Sequence, residues 1–329
     1  MSLLELDAIA VLASSPLARA EVIARVGDLP IHALAFGSKD PAASCLIITA
    51  GVHGLERVGT HVAIAFLQTL IAQLAWDEVL RRSLDDSRIV VLPLVNPGGM
   101  AARTRANPHG IDLMRNAPSH DEEPAMPLVG GHRISPRLPW YMGPIGAPMQ
   151  LEARVLCELV EREAGASRIA IAIDLHSGFG TIDRIWFPYA RSRRPIQHVA
   201  EIVALRRLLD RTLPNHVYRV EPTARVYAIR GDLWDHLYDR SCARGRVLLP
   251  LTLEMGSWAW VRKNPLQALS RLGPFNPTVP HRLRRTLRRH LPLFELLHRA
   301  VCSAASWVPR DDRSRARFER EAYDEWYSR

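Results

Sequence analysis

The chain has 329 residues, of which 47% are hydrophobic, and its formal net charge at pH 7 is +9. This length allows one large domain with a complete core, and no apolar run is long enough to span a bilayer. The four cysteines are isolated from one another, which excludes a CxxC zinc site and gives no indication of a disulfide framework. Residues 1–7 lack the basic start of a secretion signal, so a cytoplasmic location is predicted.

The hydrophobic pattern predicts helices alternating with strands along the chain. After an N-terminal helix, extended segments are predicted around residues 21–37. Buried strands are predicted over residues 45–50, 88–95, 168–175 and 247–254. Helices are predicted over residues 59–75, 151–164, 196–212 and much of 265–303. Buried strands separated by helices predict an α/β fold, with a mixed, mostly parallel twisted sheet and helices on both faces.

Three further segments have distinct compositions. Residues 96–150 are rich in Pro, Gly, His and Arg without periodicity, which is typical of a functional loop. Residues 281–290 place arginines around leucines at helical spacing, which predicts the solvated face of an amphipathic helix and no nucleic-acid partner. Residues 309–329 are highly charged, and they form either a mobile extension or a helix docked by Phe318, Tyr323 and Trp326.

Polar residues suited to metal chemistry lie where buried strands end. His53 and Glu56 follow the first strand, and His176 follows the third. Two imidazoles and one carboxylate form a known ligand set for a catalytic zinc ion with an open position for water. The sequence therefore predicts one Zn²⁺ per chain, held by these three residues, and a separate carboxylate, Glu254, as general base.

Each of these residues has an ordinary structural explanation when it is taken alone. A pair such as His53 and Glu56 arises by chance in many loops, and a histidine after a strand is commonly a hydrogen-bonded structural residue. Glu254 alone would be a solvated strand end. Their occurrence together at successive strand ends, with an arginine-bearing segment between them, favours the metal site.

The motifs resemble those of the M14 family of zinc carboxypeptidases over residues 45–260. Residues 53–56 (HGLE) resemble the HxxE metal motif, residues 174–177 (DLHS) the segment of the third ligand, and residues 252–256 (TLEMG) the segment of the general base. Residues 105–116 (RANPHGIDLMRN) resemble the segment R-x-N-x-x-G-x-D-L-N-R-N. Tyr227, followed by Gly231, Asp235 and Tyr238, is similar to the flexible-tyrosine segment.

The resemblance implies roles for further residues. Arg105 would stabilise the oxyanion, with Arg103 a rival for that role, and Arg115 would hold the terminal carboxylate of the substrate. Asn116 would also bind substrate, and Tyr227 would close over it. Asp112 would accept a hydrogen bond from His53. A structural alternative for Arg115 is an ion pair with Asp112 or Glu122.

Two departures from the family pattern concern substrate selection. The family has an asparagine just before the carboxylate-binding arginine, where this chain has Met114, so one donor to a terminal carboxylate is missing. The residue that the family places near the base of the side-chain pocket is Trp234, so no acid there selects a basic side chain. Asp232 is close in sequence, but the sequence does not give its direction.

These observations predict a single metallohydrolase domain over residues 1–305 and a charged extension over residues 306–329. The predicted reaction is zinc-dependent hydrolysis of a peptide or peptide-like amide bond, at the C-terminus of the substrate. Alternatives are an N-acyl amino acid deacylase of the desuccinylase and aspartoacylase type, a cell-wall peptide hydrolase, and a non-catalytic protein with a basic binding surface. No membrane partner is predicted, and the sequence does not indicate the oligomeric state.

Overall fold

The computed structural model describes residues 3–119 and 125–328, which form one mixed sheet between two layers of helices. The strands of this part of the chain are β1 (Arg19–Val26), β2 (Leu29–Gly37), β3 (Ser44–Ala50), β4 (Ser87–Leu92), β5 (Ala170–Ser177), β6 (Arg184–Phe187), β7 (Arg219–Pro222) and β8 (Leu248–Met255). Their order across the sheet is β1-β2-β4-β3-β5-β8-β6-β7. The central strands β4, β3, β5 and β8 are parallel, whereas β1–β2, β2–β4 and β6–β8 are antiparallel pairs.

Helices cover both faces of the sheet. They are α1 (Leu4–Ala13), α2 (Arg57–Leu74), α3 (Glu78–Ser83), α4 (Pro97–Ala102), α5 (Leu151–Ala164), α6 (Val199–Thr212), α7 (Leu233–Ala243), α8 (Trp258–Lys263), α9 (Pro280–Cys302), α10 (Ala304–Trp307) and α11 (Asp312–Ala322). Shorter 3₁₀ turns span Leu113–Arg115, Thr223–Arg225 and Pro265–Leu269, and a π-helical turn spans Tyr323–Tyr327.

Alternate residues of the central strands belong to two separate cores because successive side chains of a strand point to opposite faces. Leu46 and Ile48 of β3 pack in the core that contains α1, α2, α6 and α9. Cys45 and Ile47 pack in the other core, with α5 and α7. The predicted fold class is therefore confirmed, with a mixed sheet and helices on both faces.

The long strands and helices lie close to their predicted positions, whereas several shorter elements were not predicted. The strand predicted over residues 88–95 is β4, which ends at Leu92, and the helices predicted within residues 265–303 begin only with α9 at Pro280, after a 3₁₀ turn. The sequence interpretation missed β6 and β7, which have four residues each, and the helices α3, α4, α7 and α8.

The charged C-terminal segment forms the docked helix, one of the two forms predicted for it. Phe318 and Trp326 are buried, whereas Tyr323 remains 60% exposed and does not anchor it. Glu321 of α11 accepts hydrogen bonds from Arg206 and Arg207 of α6, and Arg315 is paired with Glu201 of the same helix. The domain boundary at residue 305 stays a prediction.

Within the described residues, none of the helices has both the length and the apolar character needed to cross a membrane.

Candidate active site

The three parallel strands β3, β5 and β8 bring the predicted site residues to one edge of the sheet. The carboxyl ends of parallel strands meet at the same edge, and His53 follows β3 by three residues. His176 and Glu254 lie at the ends of β5 and β8, where they are directly paired across the sheet. Residues from distant parts of the chain therefore converge because the strand order is β3-β5-β8.

His53, Glu56 and His176 form a buried group whose candidate ligand atoms all lie within 4.8 Å of one another. Nδ1 of His53 lies 2.8 Å from Oε1 of Glu56, and Nδ1 of His176 lies 3.0 Å from Oε2 of the same carboxylate. The two Nδ1 atoms are 3.2 Å apart. Glu56 also accepts the backbone N–H of Ser177, which fixes the orientation of the carboxylate.

Two further carboxylates orient the imidazoles. Nε2 of His53 lies 3.1 Å from Oδ1 of Asp112, and Nε2 of His176 lies 2.7 Å from Oδ2 of Asp174. Each Nε2–H therefore donates to a carboxylate, and Nδ1 of each ring faces Glu56, where a bound metal ion would take the place of a proton. Two lone pairs 3.2 Å apart beside a carboxylate fit a shared cation, so the donor set suits a metal ion.

The electrostatics of this group agree with the geometry. Burial alone would raise the pKa of Glu56, but His53 and His176 hold it far below its usual range. Burial alone would lower the pKa of His176, and Asp174 and Glu56 instead raise it well above its usual value. The buried charges are thus balanced within one network.

Glu254 lies beside this group without belonging to it. Its Oε1 accepts a hydrogen bond from the backbone N–H of Phe179 at 2.9 Å, and Glu254 is buried, with 7% of its surface exposed. Burial and the nearby carboxylate of Glu56 raise its pKa to about 8. A carboxylate with a raised pKa holds a proton readily, which suits proton transfer near neutral pH.

Arg105 is placed at the metal group by two carboxylates. Its Nε donates to Oδ2 of Asp112 at 2.8 Å, and its Nη1 donates to Oε1 of Glu56 at 3.2 Å. Its rival Arg103 is the exposed residue that ends α4 in a left-handed conformation, and it is not among the described residues that line the cavity. The structure therefore places Arg105, and not Arg103, beside the predicted ligands.

Arg115 is buried and lines the same cavity. Its Nη1 donates to Oδ2 of Asp112 at 3.2 Å, and its Nε donates to the carbonyl oxygen of Val129. Its Nη2 is buried and has no hydrogen-bond partner within the described chain. The ion pair with Asp112 exists, but it leaves the Nη2 nitrogen of the guanidinium available. Glu122, the other suggested partner, lies outside the described residues.

A cavity of about 640 Å³ opens onto these groups. Its described lining combines the predicted polar residues with aromatic side chains, and Tyr227 packs against Phe179 and Trp186 at ring-centroid distances of 6.0 Å. Burial raises the pKa of the Tyr227 phenol, so its hydroxyl stays neutral. Trp186 and Phe187 also line it.

The two residues that depart from the family pattern also border this cavity. Met114 and Trp234 line it, and so does Asp232, whose direction the sequence did not give. Burial raises the pKa of Asp232 to about 6. The apolar Met114 therefore occupies cavity wall where the family pattern has an amide.

Asn116, predicted to bind substrate, is placed elsewhere. Its amide donates to the carbonyl oxygen of Met142 at 3.2 Å and accepts the backbone N–H of Gln150 at 2.6 Å. It is not among the described residues that line the cavity. Both polar atoms of its side chain bind the backbone of residues 142–150, away from the cavity lining, so substrate binding by Asn116 stays a prediction.

Asp174 is a functional residue to which the sequence interpretation assigned no role. It is fully buried, and besides His176 it accepts hydrogen bonds from Trp234 Nε1 and Thr49 Oγ1. The sequence did indicate that Asp174 lies beside His176, because residues two apart on a strand share a face and Asp174 precedes His176 by two.

Comparison with known proteins agrees with this geometry. The sequence profile of the zinc carboxypeptidase family matches residues 18–260. Among curated proteins, no sequence relative is found.

Solved structures share the fold at low identity. The crystal structure of thrombin activatable fibrinolysis inhibitor is 18% identical, with a TM-score of 0.67 and coverage of 89% of this chain and 72% of that one. Carboxypeptidase A from Helicoverpa armigera is 16% identical, with a TM-score of 0.67 and coverage of 90% and 72%. A metallo-carboxypeptidase from Burkholderia cenocepacia is 16% identical, with a TM-score of 0.55 and coverage of 91% and 68%.

The profile spans well over half of the chain and includes the ends of β3, β5 and β8, where the candidate ligands lie. The family predicted from the motifs is confirmed, and with it the expectation of a zinc enzyme. This protein is a member of the M14 zinc carboxypeptidase family.

Proposed function

We propose that the protein hydrolyses a peptide or peptide-like amide bond at the C-terminus of its substrate, with Glu254 as general base. The observation that supports this most strongly is one shared cavity. This cavity is lined by the His53–Glu56–His176 group, by the separate carboxylate of Glu254 and by Arg115, whose Nη2 has no hydrogen-bond partner among the described residues. A substrate carboxylate held at Arg115 would place the last amide bond beside the metal group.

A zinc ion held by His53, Glu56 and His176 would supply Lewis-acid polarisation of a carbonyl group and of a water molecule. Glu254 removes a proton from the water that attacks the amide carbonyl carbon. The guanidinium of Arg105 donates to the carbonyl oxygen as negative charge develops on it. Glu254 then passes its proton to the leaving nitrogen, so the carbon–nitrogen bond breaks and a free amine departs.

Arg115 and Tyr227 would position the substrate. The planar guanidinium of Arg115 is fixed by Asp112 and Val129, so its remaining Nη2 donor costs little entropy to align with a carboxylate oxygen. The neutral phenol of Tyr227 can donate a hydrogen bond at the same cavity. Both residues bind and orient, whereas Glu254 and Arg105 act on the reacting atoms.

The test combines elemental analysis with a peptide-release assay. We expect about one zinc per chain, and activity that a chelator removes and added zinc restores. Glu254→Gln should retain zinc and lower kcat by at least about a hundredfold, the usual contribution of a general base. His176→Ala should release the metal. The exposed Glu158→Gln serves as the matched control and should keep full activity.

Retained turnover in Glu254→Gln would disprove the assigned base. The assay should also compare free with amidated peptide C-termini, because only the free carboxylate can pair with Arg115. Equal rates on both would exclude a carboxypeptidase.

A second candidate is deacylation of an N-acyl amino acid, and the position of Met114 on the cavity wall favours it. An apolar residue there removes one of the donors that would recognise the carboxylate at the C-terminus of a peptide. Faster release of amino acids from N-acyl amino acids than from peptides would support this reaction, which uses the same base.

A further inference from the structure

The positive charge of the chain is concentrated in one segment. Residues 256–302 contain eight arginines and one lysine against a single acid, Glu295, so they carry a net charge of +8 out of +9 for the whole chain. This segment covers α8, the following 3₁₀ turn and α9. The rest of the protein is therefore nearly neutral, and the charge is a local property.

Seven of these cations are exposed and have no acidic partner among the residues that the structure describes. Elsewhere many arginines form ion pairs, and within the segment Arg289 is paired with Asp183, while Arg282 donates to backbone carbonyls. Across the described chain, the remaining seven form neither an ion pair nor a side-chain hydrogen bond. We call them the basic surface: Arg262, Lys263, Arg271, Arg284, Arg285, Arg288 and Arg299.

Exposed apolar side chains lie within the same segment. Leu266 is 75% exposed and Leu269 is 85% exposed on the 3₁₀ turn that follows α8, and Trp258 at the start of α8 is 47% exposed. Arg262, Lys263 and Arg271 flank the two leucines in sequence. The burial of two exposed leucines by a partner would contribute a favourable hydrophobic term to binding.

The segment is structurally continuous and adjoins the active site. Arg282 in the first turn of α9 donates to the carbonyl oxygens of Trp260 and Lys263, which joins α9 to α8. Trp258 donates through its indole N–H to the carbonyl oxygen of Gly178, two residues after His176. Phe275, between the 3₁₀ turn and α9, lines the catalytic cavity.

We propose that this segment binds peripherally to the surface of an anionic lipid bilayer. Juxtaposed basic residues are attracted to acidic headgroups, while leucine and tryptophan side chains enter the interfacial region. The apolar face of α9 is already buried in the core, so Leu266 and Leu269 are the side chains that would enter the lipid. Such binding would present the catalytic cavity to substrates held near a membrane.

A nucleic acid is another polyanion that the basic surface could bind. The exposed leucines Leu266 and Leu269 distinguish a bilayer from a nucleic acid. A phosphate backbone would bind the arginines, but it offers no apolar contact to the two exposed leucines. A bilayer uses both kinds of side chain. The leucines therefore distinguish the two partners in an experiment.

Binding is measured by co-sedimentation of the full chain with vesicles of phosphatidylglycerol and phosphatidylcholine, and with vesicles of phosphatidylcholine alone. We expect binding only to the anionic vesicles, and weaker binding as salt is raised. The variant Arg284→Glu/Arg285→Glu/Arg288→Glu should bind at least about a hundredfold more weakly, from the loss of three cations near the surface. The variant Leu266→Ser/Leu269→Ser should also bind less.

The matched control is Arg193→Glu/Arg194→Glu/Arg313→Glu, which makes the same change in net charge at exposed positions outside the segment. It should bind as the wild type does. Equal vesicle binding by the two triple variants, or by the wild type to neutral and anionic vesicles, would overturn the proposal. So would stronger binding to duplex DNA or RNA that the leucine variant leaves unchanged. Vesicle binding needs no catalysis, so this test is independent of the proposed hydrolysis.

Discussion

Among single residues, Asp174 orients one of the candidate metal ligands. It is fully buried on β5, where it accepts hydrogen bonds from His176, Trp234 and Thr49. A charged group without solvent is tolerated only when such partners satisfy it. By holding the Nε2–H of His176, it directs the other nitrogen toward Glu56, so it acts on the metal group through the imidazole.

We therefore expect Asp174→Asn to weaken zinc binding about 10- to 100-fold, the usual effect of losing a partner of a ligating histidine. The amide retains the shape of the carboxylate but not the charge that stabilises the proton on Nε2. The measurement is competition for zinc against a chelator of known affinity. Glu201→Gln, another buried carboxylate but one paired with α11, is the control. Equal zinc affinity in Asp174→Asn and wild type would contradict the role.

The sequence could predict the candidate ligands and could not predict the shape of the cavity. His53 and Glu56 are three residues apart, and His176 and Glu254 end apolar runs, so all four are recognisable locally. Asp232 and Met114 border the cavity only because separate loops fold beside each other. Asn116 lies in a matching motif, yet the path of residues 142–150 takes up its amide.

Among the elements, α2 fixes the metal group because it begins at Arg57, directly after Glu56. It approaches β5 very closely at Gly59, where an added Cβ would lie 2.5 Å from the backbone oxygen of Leu175. The helix can therefore reach the sheet only with glycine at this position. The close approach also brings Glu56 within reach of His176.

For Gly59→Ala we expect a loss of about 1–3 kcal/mol in the free energy of unfolding, the usual result of overpacking. Helix propensity alone predicts the opposite sign, a gain of about 1 kcal/mol, so the sign identifies the contact. The measurement is denaturant unfolding. Gln68→Ala, exposed on the same helix, should change stability by less than about 0.5 kcal/mol. Stabilisation by Gly59→Ala would show that α2 does not need this contact.

Trp326 anchors the end of the C-terminal segment. Its ring contacts Phe187 at a centroid distance of 4.9 Å, and its indole N–H donates to the carbonyl oxygen of Val220 at 3.1 Å. We expect Trp326→Ala to cost about 3–5 kcal/mol, measured by denaturant unfolding. Tyr323→Ala, at an exposed position of the same segment, should be nearly neutral. Similar losses in both variants would contradict this assignment of the anchor.

How well the sequence predicted each element depended on its burial and its length. The strands β3, β4 and β5 are buried along their whole length, so they appear as continuous apolar runs. The strands β6 and β7 have four residues each, too few for a periodic signal. The helix α7 contains several polar residues, which interrupt its apolar pattern. One of them, Asp235, is buried and accepts backbone N–H groups from Ala190 and Arg191 instead of facing solvent.

At the scale of the whole molecule, charge is distributed unevenly between surface and core. The basic surface carries most of the net charge, whereas the core of α1, α2, α6 and α9 includes buried neutral histidines. Burial lowers the pKa of His290 and of His298 to about 4 each. The two lie on α9, whose exposed face carries arginines of the basic surface.

Because the pKa of His298 is lower in the folded protein than its usual value of 6.5, the unfolded chain binds more protons between those two pH values. Stability is therefore complete above about pH 6.5 and falls as pH decreases toward 4, by about 3 kcal/mol for this histidine. His298→Gln keeps a polar atom near Ser87, the hydrogen-bond partner of Nε2, but cannot titrate.

The measurement is the free energy of unfolding at pH 7 and at pH 4 for wild type and His298→Gln. The wild type should lose about 3 kcal/mol more than the variant over this range, since all other titrating groups are common to both. The exposed His281→Gln should follow the wild type. A parallel pH dependence in wild type and His298→Gln would mean that the imidazole gains its proton without disturbing the packing of α9 against Ser87.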